Sequence, residues 1–199
     1  MFRDMGETGF LQEGQRRLPR QLVVEDVGVR HHLGPAGRGG IQAAVPRTVR
    51  VLDSARKAGI KVVYLKMAYQ PDLSDLGEAD SVNRVRHLKL GVGQHVTAPD
   101  GAPSRVLVRD TWNSDIVDEL KPHGDDIVLY KTRFSGFYKT DLDERLRALG
   151  VKHLIVTGCT TSICVESTVR DAMFRDYLCV LLTDCMNEPI GNGLARSGA

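Results

Sequence analysis

The run His153-Leu154-Ile155-Val156-Thr157-Gly158-Cys159-Thr160-Thr161-Ser162-Ile163-Cys164-Val165-Glu166-Ser167-Thr168-Val169-Arg170-Asp171-Ala172-Met173 reads as three pieces in series. An apolar strand comes first, then a tight connector, then an amphipathic helix that Cys164 opens. A strand with so little polar alternation is covered on both faces, as in a parallel sheet. A thiol at a helix N-terminus sees unpaired backbone N–H groups and the positive end of the helix dipole. Both stabilise a thiolate and make it a better nucleophile. The same N–H groups can receive an oxyanion when a carbonyl is attacked. A buried cysteine that only fills a helix–sheet gap would occupy the same position.

Outward from this run, helix and strand alternate. Gln42 to Ala58 is expected as a helix, with Val45, Val49, Leu52 and Ala55 on one face, Pro46 in its first turn and Gly59 after its end. Ile60 to Leu65 reads as a strand, Ser114 to Leu120 as a short helix and Asp126 to Tyr130 as a strand. Asp141 to Leu149 is expected as a helix capped by Thr140 and ended by Gly150. The helix from Cys164 runs to Arg175, and Cys179 to Thr183 is a further strand. Met67 to Arg109 is long and polar, as lids, site walls and oligomer contacts often are. The pattern implies a three-layer α/β/α, doubly wound parallel sheet, with ligands bound beyond the strand C-termini.

Residues 1–40 are atypical, with six arginines, no lysine and a Gly-rich tract from Gly34 to Gly40. One strand-like run stands out there, Gln21 to Val27. Two regions are therefore expected: 1–40, an Arg/Gly-rich segment with a possible first strand, and an α/β domain over 41–199.

Composition excludes several classes. The 27 basic and 25 acidic side chains nearly cancel, and no Lys/Arg block is interleaved with aromatics, so no nucleic-acid partner is expected. No apolar run approaches the roughly 20 residues that span a bilayer, and the N-terminus lacks the apolar core of a secretory signal. No membrane association is expected and the cytoplasm is the expected compartment. The cysteines Cys159, Cys164, Cys179 and Cys185 lack the close Cys-x2-Cys pairs of a zinc ribbon. No metal and no other cofactor is expected.

Partners for Cys164 come from the ends of the other strands. Lys131 follows the strand that ends at Tyr130, where its ammonium could stabilise a thiolate or an oxyanion; a snorkelling surface lysine is the alternative. Asp26 or Glu25 ends the first strand-like run and could take the thiol proton, or could simply start a loop. Trp112, Phe134 and Phe137 are candidate substrate-pocket walls, with core packing as the alternative for each.

Taken together, Lys131-Thr132-Arg133-Phe134-Ser135-Gly136-Phe137 and the Gly158–Ala172 segment resemble the isochorismatase-like cysteine hydrolases. The nearest members are of the ureidoacrylate amidohydrolase and biuret hydrolase type. Trp112-Asn113 and Leu182-Thr183-Asp184 add weaker support. The resemblance implies an Asp–Lys–Cys triad of Asp26, Lys131 and Cys164, a cis peptide at Cys159–Thr160, and an oxyanion hole from the N–H groups of Thr160 and Cys164. It implies hydrolysis of a small amide or ureide through a thioester, and a homo-oligomer. The family's first strand ends in Asp-Met-Gln where this chain has Val24-Glu25-Asp26-Val27, and its last helix and edge strand have no counterpart before Ala199. A non-catalytic member of the fold and a vinyl-ether hydrolase are the alternative readings. A carboxylate-bearing substrate would need an arginine, for which Arg84, Arg86 and Arg133 are candidates.

Overall fold

The computed structural model describes residues 20–25 and 41–187. Five parallel strands form one sheet: β1 (Arg20–Glu25), β2 (Lys61–Met67), β5 (Ile127–Lys131), β6 (His153–Cys159) and β7 (Leu178–Asn187), in the order β5-β2-β1-β6-β7. β1 is thus the central strand, between β2 and β6. A small antiparallel ribbon of β3 (His95–Thr97) and β4 (Pro103–Arg105) stands apart.

The strict alternation of side chains along a strand assigns the two faces. Val63, Leu65, Leu129, Leu154 and Val156 pack with Leu142 and Leu146 of α3 (Leu142–Ala148) and Ala172 of α4 (Glu166–Met173). Val62 and Tyr64 pack on the other face with Ala44, Leu52 and Ala55 of α1 (Ile41–Lys57). Helices on both faces explain why β2 is buried from Val62 to Met67. Leu146 is fully buried between α3 and the sheet. Leu146→Ala should therefore lower the unfolding free energy by about 2–5 kcal/mol, read by urea denaturation at unchanged m-value.

α1 ends where Gly59 adopts φ +69°, so that Ile60 N–H reaches the carbonyl of Ala55 at 2.9 Å and Gly59 N–H that of Arg56 at 3.0 Å. This closing turn requires the left-handed conformation that glycine tolerates. Pro46 lies in the second turn of α1 rather than the first, because the helix begins at Ile41.

Three local expectations change. Ser114–Leu120 is not one helix but two 3₁₀ turns, Trp112–Ser114 and Asp118–Leu120, with Asp115 extended between them. Side chains compete there with the helical ladder: Ser114 Oγ donates to the Val108 carbonyl at 2.7 Å, and Asp115 Oδ1 accepts from Ile116 N–H at 2.8 Å. The Cys164 helix opens with a π turn over Thr161–Val165, and regular α geometry starts at Glu166. The long polar stretch is ordered, carrying a 3₁₀ turn at Ser74–Leu76, helix α2 (Val82–Lys89) and the β3–β4 ribbon. Among the described residues, no helix is long and apolar enough to cross a membrane.

Candidate active site

Lys131 is the last residue of β5, level with Met67 of β2, and its side chain is wholly buried. Its ammonium donates to the Phe134 carbonyl at 3.2 Å. The chain after Lys131 is pinned to the helix layer, since Gly136 N–H donates to Thr168 Oγ1 of α4 at 2.9 Å. A Cβ on Gly136 would strike Leu65, so glycine is what allows this loop to lie close over β2.

Cys164 lies in the π turn after β6 and is 5 % exposed. It belongs to an apolar cluster at the C-terminal end of the sheet with Met67, Tyr69, Leu76, Val92 and Leu107, against which Phe134 and Ile163 pack. The Cys159–Thr160 peptide is cis. The Thr160 carbonyl accepts from Ile163 N–H at 3.2 Å and from Val165 N–H at 3.1 Å, which closes the wide turn and holds Cys164 inside it. Lys131 and Cys164, far apart in sequence, thus reach one site through Met67 and Phe134.

The remaining anticipated residues fall in different places. Asp26 lies outside the described residues. Glu25 is the last residue of β1, opposite Leu65 on one side and Gly158 on the other. Phe134 is at the Cys164 cluster; Phe137 is not, being packed in the α3–α4 core with its ring stacked on Tyr177 at 6.0 Å. Trp112 lines a polar cavity with Lys66, Asp110 and Tyr130, in the Tyr64–Lys66 row on the α1 side of the sheet.

Two site residues were not anticipated. Tyr69 is fully buried beside the site, its hydroxyl donating to the Thr132 carbonyl at 3.3 Å, and burial raises its pKa to about 12. His87 of α2 is buried with its ring 5.6 Å from that of Tyr69 and 5.8 Å from that of Phe134. Its Nδ1 meets the Asn83 carbonyl at 2.6 Å. Burial, with smaller contributions from the cations Arg86, Arg133 and Lys131, holds its pKa below the usual histidine value. The hydrogen bond to the Asn83 carbonyl opposes that shift. The helix of His87 also carries Val82, Val85 and Leu88, all exposed, so hydrophobic spacing does not single it out.

The Isochorismatase domain model matches residues 21–190. The chain belongs to the isochorismatase family. Relatives include "Ureidoacrylate amidohydrolase RutB" of Methylorubrum extorquens (strain DSM 6343 / CIP 106787 / DM4), 39% identical over 144 residues, covering 72% of this chain and 57% of the relative. Across such curated relatives the chain spans little more than half their length. Among solved structures, a cysteine hydrolase from Pseudomonas syringae pv. phaseolicola 1448A is similar with a TM-score of 0.72 at 28% identity, over 95% of this chain and 83% of that one. The N-carbamoylsarcosine amidase from Thermoplasma acidophilum gives a TM-score of 0.64 at 26% identity, over 89% and 88% of the two chains. As an isochorismatase-family α/β protein, the chain has its buried lysine and cysteine at the end of the sheet where open α/β folds bind ligands.

Proposed function

We propose that this chain hydrolyses the carbon–nitrogen bond of a small amide or ureide through a thioester on Cys164. The observation that carries the reading is the convergence of wholly buried Lys131 with Cys164 at one end of the sheet. A buried ammonium is costly, and keeping one beside a thiol makes sense where negative charge must be held. The amidohydrolase and amidase names of the relatives point the same way.

In the reaction, a carboxylate of the Glu25–Asp26 pair at the end of β1 takes the Cys164 proton; position in the family's strand favours Asp26. The thiolate attacks the carbonyl carbon, and the negative charge passes to the carbonyl oxygen. The N–H groups of Thr160 and Cys164, with the Lys131 ammonium, receive it. When the tetrahedral centre collapses, the carbon–nitrogen bond breaks and the carboxylic acid returns its proton to the departing nitrogen. Water, deprotonated by the same carboxylate, then cleaves the thioester, and the sulfur leaves as the thiol. Phe134 forms part of the pocket wall.

The test is ammonia release from ureidoacrylate, biuret and simple amides, run beside Asp26→Asn and Glu25→Gln. One of the two substitutions should lower kcat by about 10²–10⁴-fold and the other by far less. If the wild-type protein is folded and releases no ammonia from any of them, or if neither substitution slows it, the proposed mechanism is wrong.

A further inference from the structure

We propose that the polar cavity around Lys66 is a second binding site, separate from that of Cys164, for a small zwitterion: an amino acid with a short side chain. The site stands or falls independently of the proposed hydrolysis.

Lys66 of β2 is paired with Tyr130 of β5, one position before the pair Met67 and Lys131. Successive side chains leave a strand on opposite faces. The ends of these two strands therefore serve two places. Met67 packs with Cys164 on one face, while Lys66 and Tyr130 open on the other into a cavity of about 260 Å³. Asp110, Trp112 and Asp115 line the same cavity. None of the residues around it belongs to the Cys164 cluster.

Lys66 is what calls for a ligand. Its side chain is only 10 % exposed, and its carboxylate partner, Asp115 Oδ1, stands at 3.7 Å, beyond hydrogen-bond reach. Its ammonium also lies 5.1 Å from the centre of the Tyr130 ring. Among the described residues no oxygen accepts a hydrogen bond from it. An ammonium buried to this degree is costly unless acceptors meet it, and the cavity is where they can enter. The rest of the wall is built in advance. The Tyr130 hydroxyl donates to Asp110 Oδ1 at 2.9 Å, and burial raises its pKa to about 12, so it keeps that proton at neutral pH. Thr111 Oγ1 and Ser114 Oγ donate to the Val108 carbonyl at 2.8 Å and 2.7 Å, which fixes the loop carrying Asp110 and Trp112. Arg109, over the same tyrosine ring, is engaged with Asp75 at 2.9 Å.

The charges around the cavity select the ligand. An anion alone would meet Lys66, but also the carboxylates of Asp110 and Asp115. A cation alone would meet those carboxylates, but also the ammonium. Each would leave a like-charge contact, which is unfavourable at close range. A molecule with both signs meets each group with its opposite: its carboxylate accepts from Lys66 and its amine donates to the aspartates. A neutral amide offers the same donors and acceptors without the charge that strengthens these bonds. The volume admits a short side chain beside Trp112 and excludes a long one.

Trp112 is the single tryptophan of the chain, so its fluorescence reports on this cavity directly. Titration with L-alanine should give a saturable change, and calorimetry on the same protein should return the same dissociation constant. Propionate and ethylamine, each carrying one of the two charges, should bind about 10- to 100-fold more weakly. Lys66→Met should weaken L-alanine binding by about the same factor. So should Asp110→Asn with Asp115→Asn, two exposed side chains whose replacement keeps the fold testable if Lys66→Met does not fold. L-Alanine at saturation should leave the rate of Cys164 alkylation unchanged. Protection of Cys164 would put the ligand at the other site and overturn the proposal. So would the absence of any saturable change, propionate or ethylamine binding as tightly as L-alanine, or binding indifferent to the aspartate substitutions.

Discussion

Cys164→Ala should abolish turnover, with a loss of about 10⁴–10⁶-fold in kcat, while leaving the fold in place. The size follows from the chemistry. On the proposed mechanism the thioester cannot form without the sulfur, so what would remain is the catalysis that positioning and the oxyanion donors supply to a direct attack by water. The structural cost is small, since one sulfur atom is removed from a cluster that otherwise keeps Met67, Tyr69, Leu76, Val92 and Leu107. Thermal unfolding should accordingly show a shift of only a few degrees. Alkylation offers an independent reading on the wild-type protein. Burial raises the thiol pKa of Cys179, and burial with the nearby Asp184 charge raises that of Cys185, so both stay protonated at pH 7. Cys159 is wholly buried at the end of β6. Brief treatment with iodoacetamide at pH 7 should therefore add one label, on Cys164, in step with loss of activity. Labelling of Cys179 or Cys185 ahead of Cys164, or an active Cys164→Ala protein, would show that Cys164 is a packing residue.

The frame of this site could be read in the sequence because its parts are local signals. The strand before Cys164, the helix after it and the lysine at the end of Ile127–Tyr130 each follow from short-range pattern. Their meeting at one end of a parallel sheet follows from topology, which the alternation of helix and strand specifies. What escaped was set by long-range packing. Phe134 and Phe137 stand three residues apart in one motif, yet one packs at the cysteine and the other stacks on Tyr177. Nothing in the motif distinguishes them, because the choice depends on how Gly136 lies over Leu65 and is held by Thr168. Tyr69 and His87 come from the stretch without periodicity, and they gain meaning only when α2 brings His87 against Tyr69 and Phe134. The split of Ser114–Leu120 reflects side-chain hydrogen bonds from Ser114 and Asp115, which compete with the backbone ladder and leave no mark on hydrophobic spacing.

Lys131→Met should cost activity far more than stability. Methionine matches the reach of the lysine stem and removes the charge. A wholly buried ammonium carries a desolvation penalty of several kcal/mol, offset in part by its bond to the Phe134 carbonyl. Removing the charge relieves the first and leaves the carbonyl without that donor, at a cost of about 1–3 kcal/mol. The two effects oppose each other, so thermal unfolding should move far less than turnover. On the proposed mechanism, activity should fall by about 10²–10³-fold in kcat, because the cation assigned to the thiolate and the developing oxyanion is gone. The alkylation profile of Cys164 should also move to higher pH than in the wild type, since an opposite charge no longer favours the thiolate. A lysine that served only as a strut would give the opposite pair of results: a lower Tm with turnover retained. The two measurements together separate charge from packing at this position, and a fall in Tm without a change in the alkylation profile would remove Lys131 from the reaction.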